Sequence, residues 1–213
     1  MLQSISVHDY QMNSDSSSVE TKLEDCVEPE NALPEATLRE LPESLQAAAA
    51  LAGWTSLMPV QAKAIPYLLA GRDLMVQSRT GSGKTGAFVL PILERVKPGA
   101  GCQAIVLVPT RELAKQVAAE AETLGGAKGV RATAIYGGVD YGPQIKAFEE
   151  GVALVVGTPG RILDHLMKGS LSLNTLRLLI FDEADRMLSM GFFPDMKRLQ
   201  KFLPSHPING YMF

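Results

Sequence analysis

From residue 73 to residue 202, short apolar runs alternate with amphipathic stretches. Asp73–Gln77, Gln103–Val108, Arg131–Tyr136, Val152–Val156 and Leu176–Phe181 read as strands, being short, apolar and rich in β-branched residues. Between and after them, Gly83–Val96, Arg111–Leu124, Gln144–Glu149, Arg161–Met167 and Phe193–Phe202 read as helices. Upstream, Leu38, Leu41, Leu45 and the run Ala47 to Ala50 suggest a helix broken at Gly53, and Pro59–Leu69 a second helix ending near Gly71. Strands that stay apolar at every position are buried on both faces, as in a parallel sheet covered by helices. The predicted fold class is therefore α/β, an open, mostly parallel sheet with helices on both faces. In such folds ligands bind beyond the carboxyl ends of the strands.

Residues 1–33 break this pattern. They are polar, Ser-rich and acidic, with seven carboxylates against the single cation Lys22, and are predicted to be a disordered tail. Residues 34–204 form the predicted folded domain, and 205–213 a divergent end in which Pro207 and Gly210 fit a strand poorly. The net charge is −3, but removing the tail leaves 19 Lys+Arg and 16 Asp+Glu, a mildly basic body. Two cysteines, Cys26 and Cys102, exclude a disulfide framework and a Cys-based zinc site. No apolar run approaches the roughly 18 residues of a membrane span, and the N-terminus has no basic and apolar leader. A cytoplasmic, reducing compartment without membrane attachment is expected. His8, His165 and His206 are scattered without metal-ligand spacing, and Met187, Met190 and Phe192 have the spacing of helix packing.

Candidate chemistry concentrates at strand ends. Ser78-Arg79-Thr80-Gly81-Ser82-Gly83-Lys84-Thr85 follows the first predicted strand and opens a helix, the setting of a phosphate-binding loop. Gly81 and Gly83 let successive N–H groups face one anion, and the helix N-terminus adds unpaired donors. Lys84 supplies a charge for the β- and γ-phosphates, and the Thr85 hydroxyl a ligand for Mg²⁺. Ser78 stands where the strict pattern has glycine. Downstream, Leu176–Phe181 runs into Asp182-Glu183-Ala184-Asp185. Asp182 at that strand end can hold Mg²⁺ through its water shell, and Glu183 can orient an attacking water.

Asp182–Asp185 spells DEAD, and with the segments around it the chain resembles the first RecA-like domain of DEAD-box RNA helicases over about residues 36–204. Gly53-Trp54-Thr55-Ser56-Leu57-Met58-Pro59-Val60-Gln61 is similar to the family's adenine-reading Q motif, with Trp54 where Phe is frequent and Ala36 where an upstream aromatic is usual. The resemblance assigns Gln61 to the adenine edge. Pro109-Thr110-Arg111-Glu112-Leu113, Gly137-Gly138 and Thr158-Pro159-Gly160-Arg161 follow the second, third and fourth predicted strands and resemble the family segments that line a path for single-stranded RNA. Hydroxyls and helix N-termini there can donate to phosphate oxygens, while Arg111 and Arg161 add charge or brace the loops. Backbone contacts carry no sequence information, so RNA binding with little sequence preference is implied. Asp185 is assigned to interdomain coupling.

The resemblance implies ATP and Mg²⁺ as ligands, RNA and a second RecA-like domain as partners, and ATP-dependent RNA helicase activity. It departs after Leu203-Pro204: the family's Ser-Ala-Thr is absent and the chain is expected to be a truncated form. A stand-alone nucleotide- and RNA-binding module without efficient turnover is the alternative.

Overall fold

The computed structural model describes residues 3–6 and 31–213. The expected tail falls largely outside them, as do His8 and Cys26. Seven strands form one fully parallel sheet: β1 (Gln3–Ser6), β2 (Leu74–Gln77), β3 (Ala104–Leu107), β4 (Ala132–Ile135), β5 (Leu154–Gly157), β6 (Leu178–Phe181) and β7 (Asn209–Met212). Their order across the sheet is β1-β2-β7-β6-β3-β5-β4. Among the described residues eight α-helices accompany them: α1 (Glu43–Leu51), α2 (Pro59–Leu69), α3 (Lys84–Arg95), α4 (Arg111–Gly125), α5 (Tyr141–Glu149), α6 (Pro159–Met167), α7 (Ala184–Ser189) and α8 (Phe193–Leu199). All five predicted strands are present, most of them shortened where a polar end residue leaves the ladder.

Side-chain alternation along the strands divides the core in two. Ala104, Val106 and Val108 of the β3 run join Leu178 and Ile180 of β6 in one cluster with α1 to α4. Ile105 and Leu107 join Leu179 in the other, with residues of α6, α7 and α8. Period-two geometry thus buries every position of a central strand, which is why these segments read as unbroken apolar runs.

Two strands depart from the sequence reading. Gln3–Ser6, within the expected tail, pairs with β2 as an edge strand. The larger correction concerns residues 205–213, since Asn209–Met212 is a central strand between β2 and β6. Pro207 precedes the ladder and so removes no bond from it. Gly210 needs no apolar side chain, because its N–H donates to the Asp73 carboxylate at 2.9 Å and nothing lies within 4 Å of where a Cβ would stand. Its neighbours alternate as a buried strand requires. Tyr211 and Phe213 enter the first cluster, and Ile208 and Met212 pack against the second. Asn209 anchors the start by donating to the Gly71 carbonyl at 2.7 Å. Among the described residues no helix is long and apolar enough to cross a membrane.

Candidate nucleotide and nucleic-acid site

Because all strands are parallel, every strand-to-helix turn after a carboxyl end emerges on one edge of the sheet. In spatial order that edge carries the residue 78–85 loop after β2, then the end of β7, the DEAD segment after β6, Pro109–Arg111 after β3, Thr158–Arg161 after β5 and Gly137–Gly138 after β4. With neighbouring strands about 4.8 Å apart, the loop and DEAD strands lie roughly 10 Å from each other. The three remaining segments continue away from the DEAD strand over roughly 15 Å. The topology thus sorts the predicted residues into two adjoining groups.

The first group is the phosphate loop. Gly81 and Gly83 have φ of +81° and +88°, the left-handed conformation their lack of a side chain permits. Ser78, in the position of the usual glycine, closes the loop by donating its hydroxyl to Ser82 Oγ at 2.7 Å. Lys84 Nζ donates to the carbonyls of Ser78 at 2.8 Å and Arg79 at 3.3 Å, which holds the ammonium over the loop. Thr85 lies in the first turn of α3. A cleft of about 570 Å³ opens beside the loop, lined by Arg79, Thr80 and Lys84 on one side and Glu183, Asp185 and Arg186 on the other.

Gln61 sits beneath this loop, 3% exposed. Its Oε1 accepts from the Met58 N–H at 2.9 Å and its Nε2 donates to the Gly83 carbonyl at 3.1 Å. After these two bonds one lone pair of Oε1 and one proton of Nε2 remain. The amide also ties the start of α2 to the loop. Trp54 packs over Gly86, where a Cβ would come within 2.2 Å of the indole. That glycine inside a predicted helix was the sequence signal for a close approach.

At the end of β6, Asp182 is 4% exposed. Burial pushes its carboxyl up to about 6, with Glu183 and Glu120 adding to the effect and Lys84 opposing it. Glu183 is the one non-glycine with positive φ among the described residues, at +54°. Backbone held in that region is strained and marks functional sites. Its carboxylate accepts from Arg186 Nη1 at 3.0 Å, an ion pair legible as i,i+3 spacing. Asp185 is exposed on the first turn of α7.

The second group faces outward from the remaining strands. Thr110 caps α4, its Oγ1 accepting from the Leu113 N–H at 3.2 Å, so its hydroxyl proton points elsewhere. Thr158 stands at the N-cap of α6 without a side-chain cap bond. Gly137 and Gly138 are exposed, with open space around both. Arg111 is exposed and pairs with Glu112. Arg161 differs, being buried: of its two expected uses the structure has the bracing one. Its Nη2 donates to the Val139 carbonyl at 2.8 Å and its guanidinium lies 4.1 Å from the Tyr141 ring centre. The sequence reading passed over the group behind it. His165 Nε2 lies 2.8 Å from Gln144 Oε1, and Gln144 donates to the Tyr136 carbonyl at 3.0 Å. The amide oxygen can only accept, so His165 carries its proton on Nε2, and burial lowers its basicity. This network joins the glycine loop to α6. Its trace in the sequence is a His among the apolar residues of α6 and a Gln in α5.

The donor set Thr85 and Asp182 is all oxygen, the hard-ligand chemistry that Mg²⁺ takes. Among the described residues no three His, Cys, Asp or Glu side chains converge. A Mg²⁺ ion here would accordingly draw its other ligands from phosphates and water.

Comparison with known proteins adds a family. The model of the DEAD/DEAH box helicase family matches residues 58–211. The chain is 45% identical over 168 residues to "ATP-dependent RNA helicase DeaD" of Haemophilus influenzae, covering 78% of this chain and 27% of that protein. It is 44% identical over 152 residues to "RNA helicase CrhR" of Synechocystis, covering 71% and 31%. Among solved structures, a DEAD box protein from the hyperthermophile Methanococcus jannaschii superposes with a TM-score of 0.78 at 41% identity, over 84% of this chain and 50% of that one. A hypothetical ATP-dependent RNA helicase from Sulfolobus tokodaii gives 0.72 at 37% identity, over 81% and 50%. The chain thus spans about a quarter to a third of the length of the curated relatives it matches.

Proposed function

Because the chain belongs to the DEAD/DEAH box helicase family, we propose that it is the ATP-binding domain of a DEAD-box RNA helicase, acting in the cytoplasm. In this reading ATP binding and hydrolysis are coupled to gripping one RNA strand by its backbone and to opening duplexes. The observation that carries it is a single cleft at one sheet edge, lined by Lys84 of the loop and by Glu183 and Asp185 of the DEAD segment. The backbone N–H groups of residues 80–85 and the Lys84 ammonium bind the triphosphate. The free proton of Gln61 Nε2 meets the adenine edge, so that base recognition is linked through Gly83 to the loop. Thr85 and Asp182 would hold Mg²⁺, which would supply neutralisation of phosphate charge. Glu183, oriented by Arg186, positions the attacking water. The hydroxyls of Thr110 and Thr158, the N-termini of α4 and α6 and the backbone of Gly137 and Gly138 hold RNA phosphates, while Arg161 braces the glycine loop. Asp185 couples the site to a second RecA-like domain.

That second domain is proposed to complete the RNA grip and to supply arginine to the γ-phosphate. An arginine finger is worth about 10³ to 10⁵ in rate, so hydrolysis by this chain alone should be slow. The alternative reading is a binding module without efficient turnover. The test is titration with a fluorescent ATP analogue together with phosphate release, with and without single-stranded RNA. Lys84→Ala should abolish nucleotide binding, and Glu183→Gln should keep binding while losing residual hydrolysis. Unchanged nucleotide affinity in Lys84→Ala would overturn the proposal. Phosphate release unaffected by RNA even with the second domain added in trans would favour the module.

A further inference from the structure

A second cavity, of about 500 Å³, lies at the opposite edge of the sheet. It is framed by residues just before β3, β6 and β7 and just after α3, so it shares no residue with the phosphate loop or the DEAD segment. Arg95, Lys97, Arg177 and His206 line it, and no carboxylate does. Among the described residues none of the three permanent cations has an ion-pair partner, although Lys128, Arg131 and Arg186 each do. The nearby Asp73 carboxylate is occupied by the Asn209 amide at 3.2 Å and the Gly210 N–H at 2.9 Å.

The cavity is organised rather than merely charged. Arg95 is fixed by β7 and α2, its Nη1 donating to the Tyr211 hydroxyl at 2.7 Å and the Leu68 carbonyl at 3.5 Å and its Nη2 to Asn209 Oδ1 at 2.6 Å. Those bonds leave Nε–H and one Nη2 proton as donors in a set orientation, so little rotamer freedom is lost when they meet an acceptor. Gln103 pins the adjoining loop, accepting from the Lys97 N–H at 3.0 Å and donating to the Lys97 carbonyl at 2.7 Å. His206 Nε2 lies 2.7 Å from the Leu176 carbonyl, which fixes the ring. The carboxyl end of α3, with about half a charge, and the Asp73 carboxylate behind Asn209 oppose an anion here, against three whole positive charges. No aromatic carbon platform lines the cavity except the His206 ring, so stacking of a nucleobase is not what it offers.

We propose that this cavity is a phosphate-binding site, independent of the nucleotide site, that takes the phosphate groups of a small anion or of a nucleic-acid strand. The probes are inorganic pyrophosphate and a 12-nucleotide oligouridine RNA, each titrated into the full chain carrying Lys84→Ala, which removes the loop site from the readout. Pyrophosphate should give saturable NMR shifts at Thr175, Arg177 and His206. Adding Lys97→Glu and Arg177→Glu should weaken that binding at least tenfold; both side chains are exposed and bond to nothing among the described residues, and an unchanged circular dichroism melt verifies the fold. If phosphodiesters are the source, the same pair should weaken RNA binding and lower the slope of log affinity on log salt by about 1.4. Pyrophosphate shifts lost in the pair with RNA binding untouched assign the site to small anions. Loss of RNA affinity without pyrophosphate shifts assigns it to the strand. Shifts confined to residues 78–85, or both probes indifferent to the paired reversals, overturn the proposal without touching the nucleotide site.

Discussion

Asp182→Asn should stabilise the ligand-free protein, and by an amount that depends on pH. The carboxyl is buried at the end of β6 and burial raises it from an ordinary 3.8 to about 6. Between those values the folded state keeps a proton that the unfolded chain has released. Stability therefore falls as pH rises from about 4 to about 6, and above that range the cost is complete. Its full size is about 3 kcal/mol, from roughly 1.4 kcal/mol for each unit of displacement. Asparagine never ionises and keeps an oxygen that can accept from the Glu183 N–H. The stability of the variant minus that of the native protein should be about 1 kcal/mol at pH 4.5 and about 3 kcal/mol at pH 7.5. In a chain of this size that difference at pH 7.5 is roughly 6–12 °C in Tm. Urea denaturation of both proteins at several pH values measures it, and titrating groups remote from Asp182 cancel in the subtraction. A difference that stays flat from pH 4.5 to 7.5, or a variant less stable at pH 7.5, would refute the argument.

Three further outcomes follow from geometry. Gly157→Ala places a Cβ 2.2 Å from the Ile135 carbonyl oxygen, which also accepts from the Thr158 N–H, so β4 and β5 must part; thermal unfolding should register a loss of about 2–4 kcal/mol, and an unchanged Tm would contradict the close approach. Gly86→Ala drives a methyl into Trp54 and the Gln61 amide. As Trp54 is the sole tryptophan, its emission should shift to the red while nucleotide affinity falls several-fold, and an unmoved spectrum would count against that packing. Arg161→Gln frees the Val139 carbonyl and uncovers Tyr141. RNA affinity should drop about tenfold with nucleotide affinity kept, the loss of one charge-assisted bond, and equal loss of both would show general unfolding instead.

Much of the architecture was legible from apolar runs, because strands buried on both faces must be apolar at every position. The loop and acidic motifs were legible because phosphate and metal chemistry permits few residue types at each place. β7 was not legible. Its Asn, Gly and Tyr are polar or small, and they are accommodated by Asp73, Gly71 and Arg95 far away in the chain. Gln61 was identified as a residue, but its bonding to Gly83, 22 positions on, depends on how α2 lies against the loop.

Local order alone therefore determined which apolar segments are strands, which turn cradles an anion and which strand end carries carboxylates. Those properties reside in consecutive residues, through periodicity and backbone conformation. The tertiary structure decided that Lys84 and Glu183 share a cleft, that Arg161 turns inward, and that three cations without an ion-pair partner among the described residues meet at the opposite edge of the sheet. These depend on strand order and burial, and the interactions that set them join residues tens to more than a hundred positions apart, whose proximity no local pattern encodes.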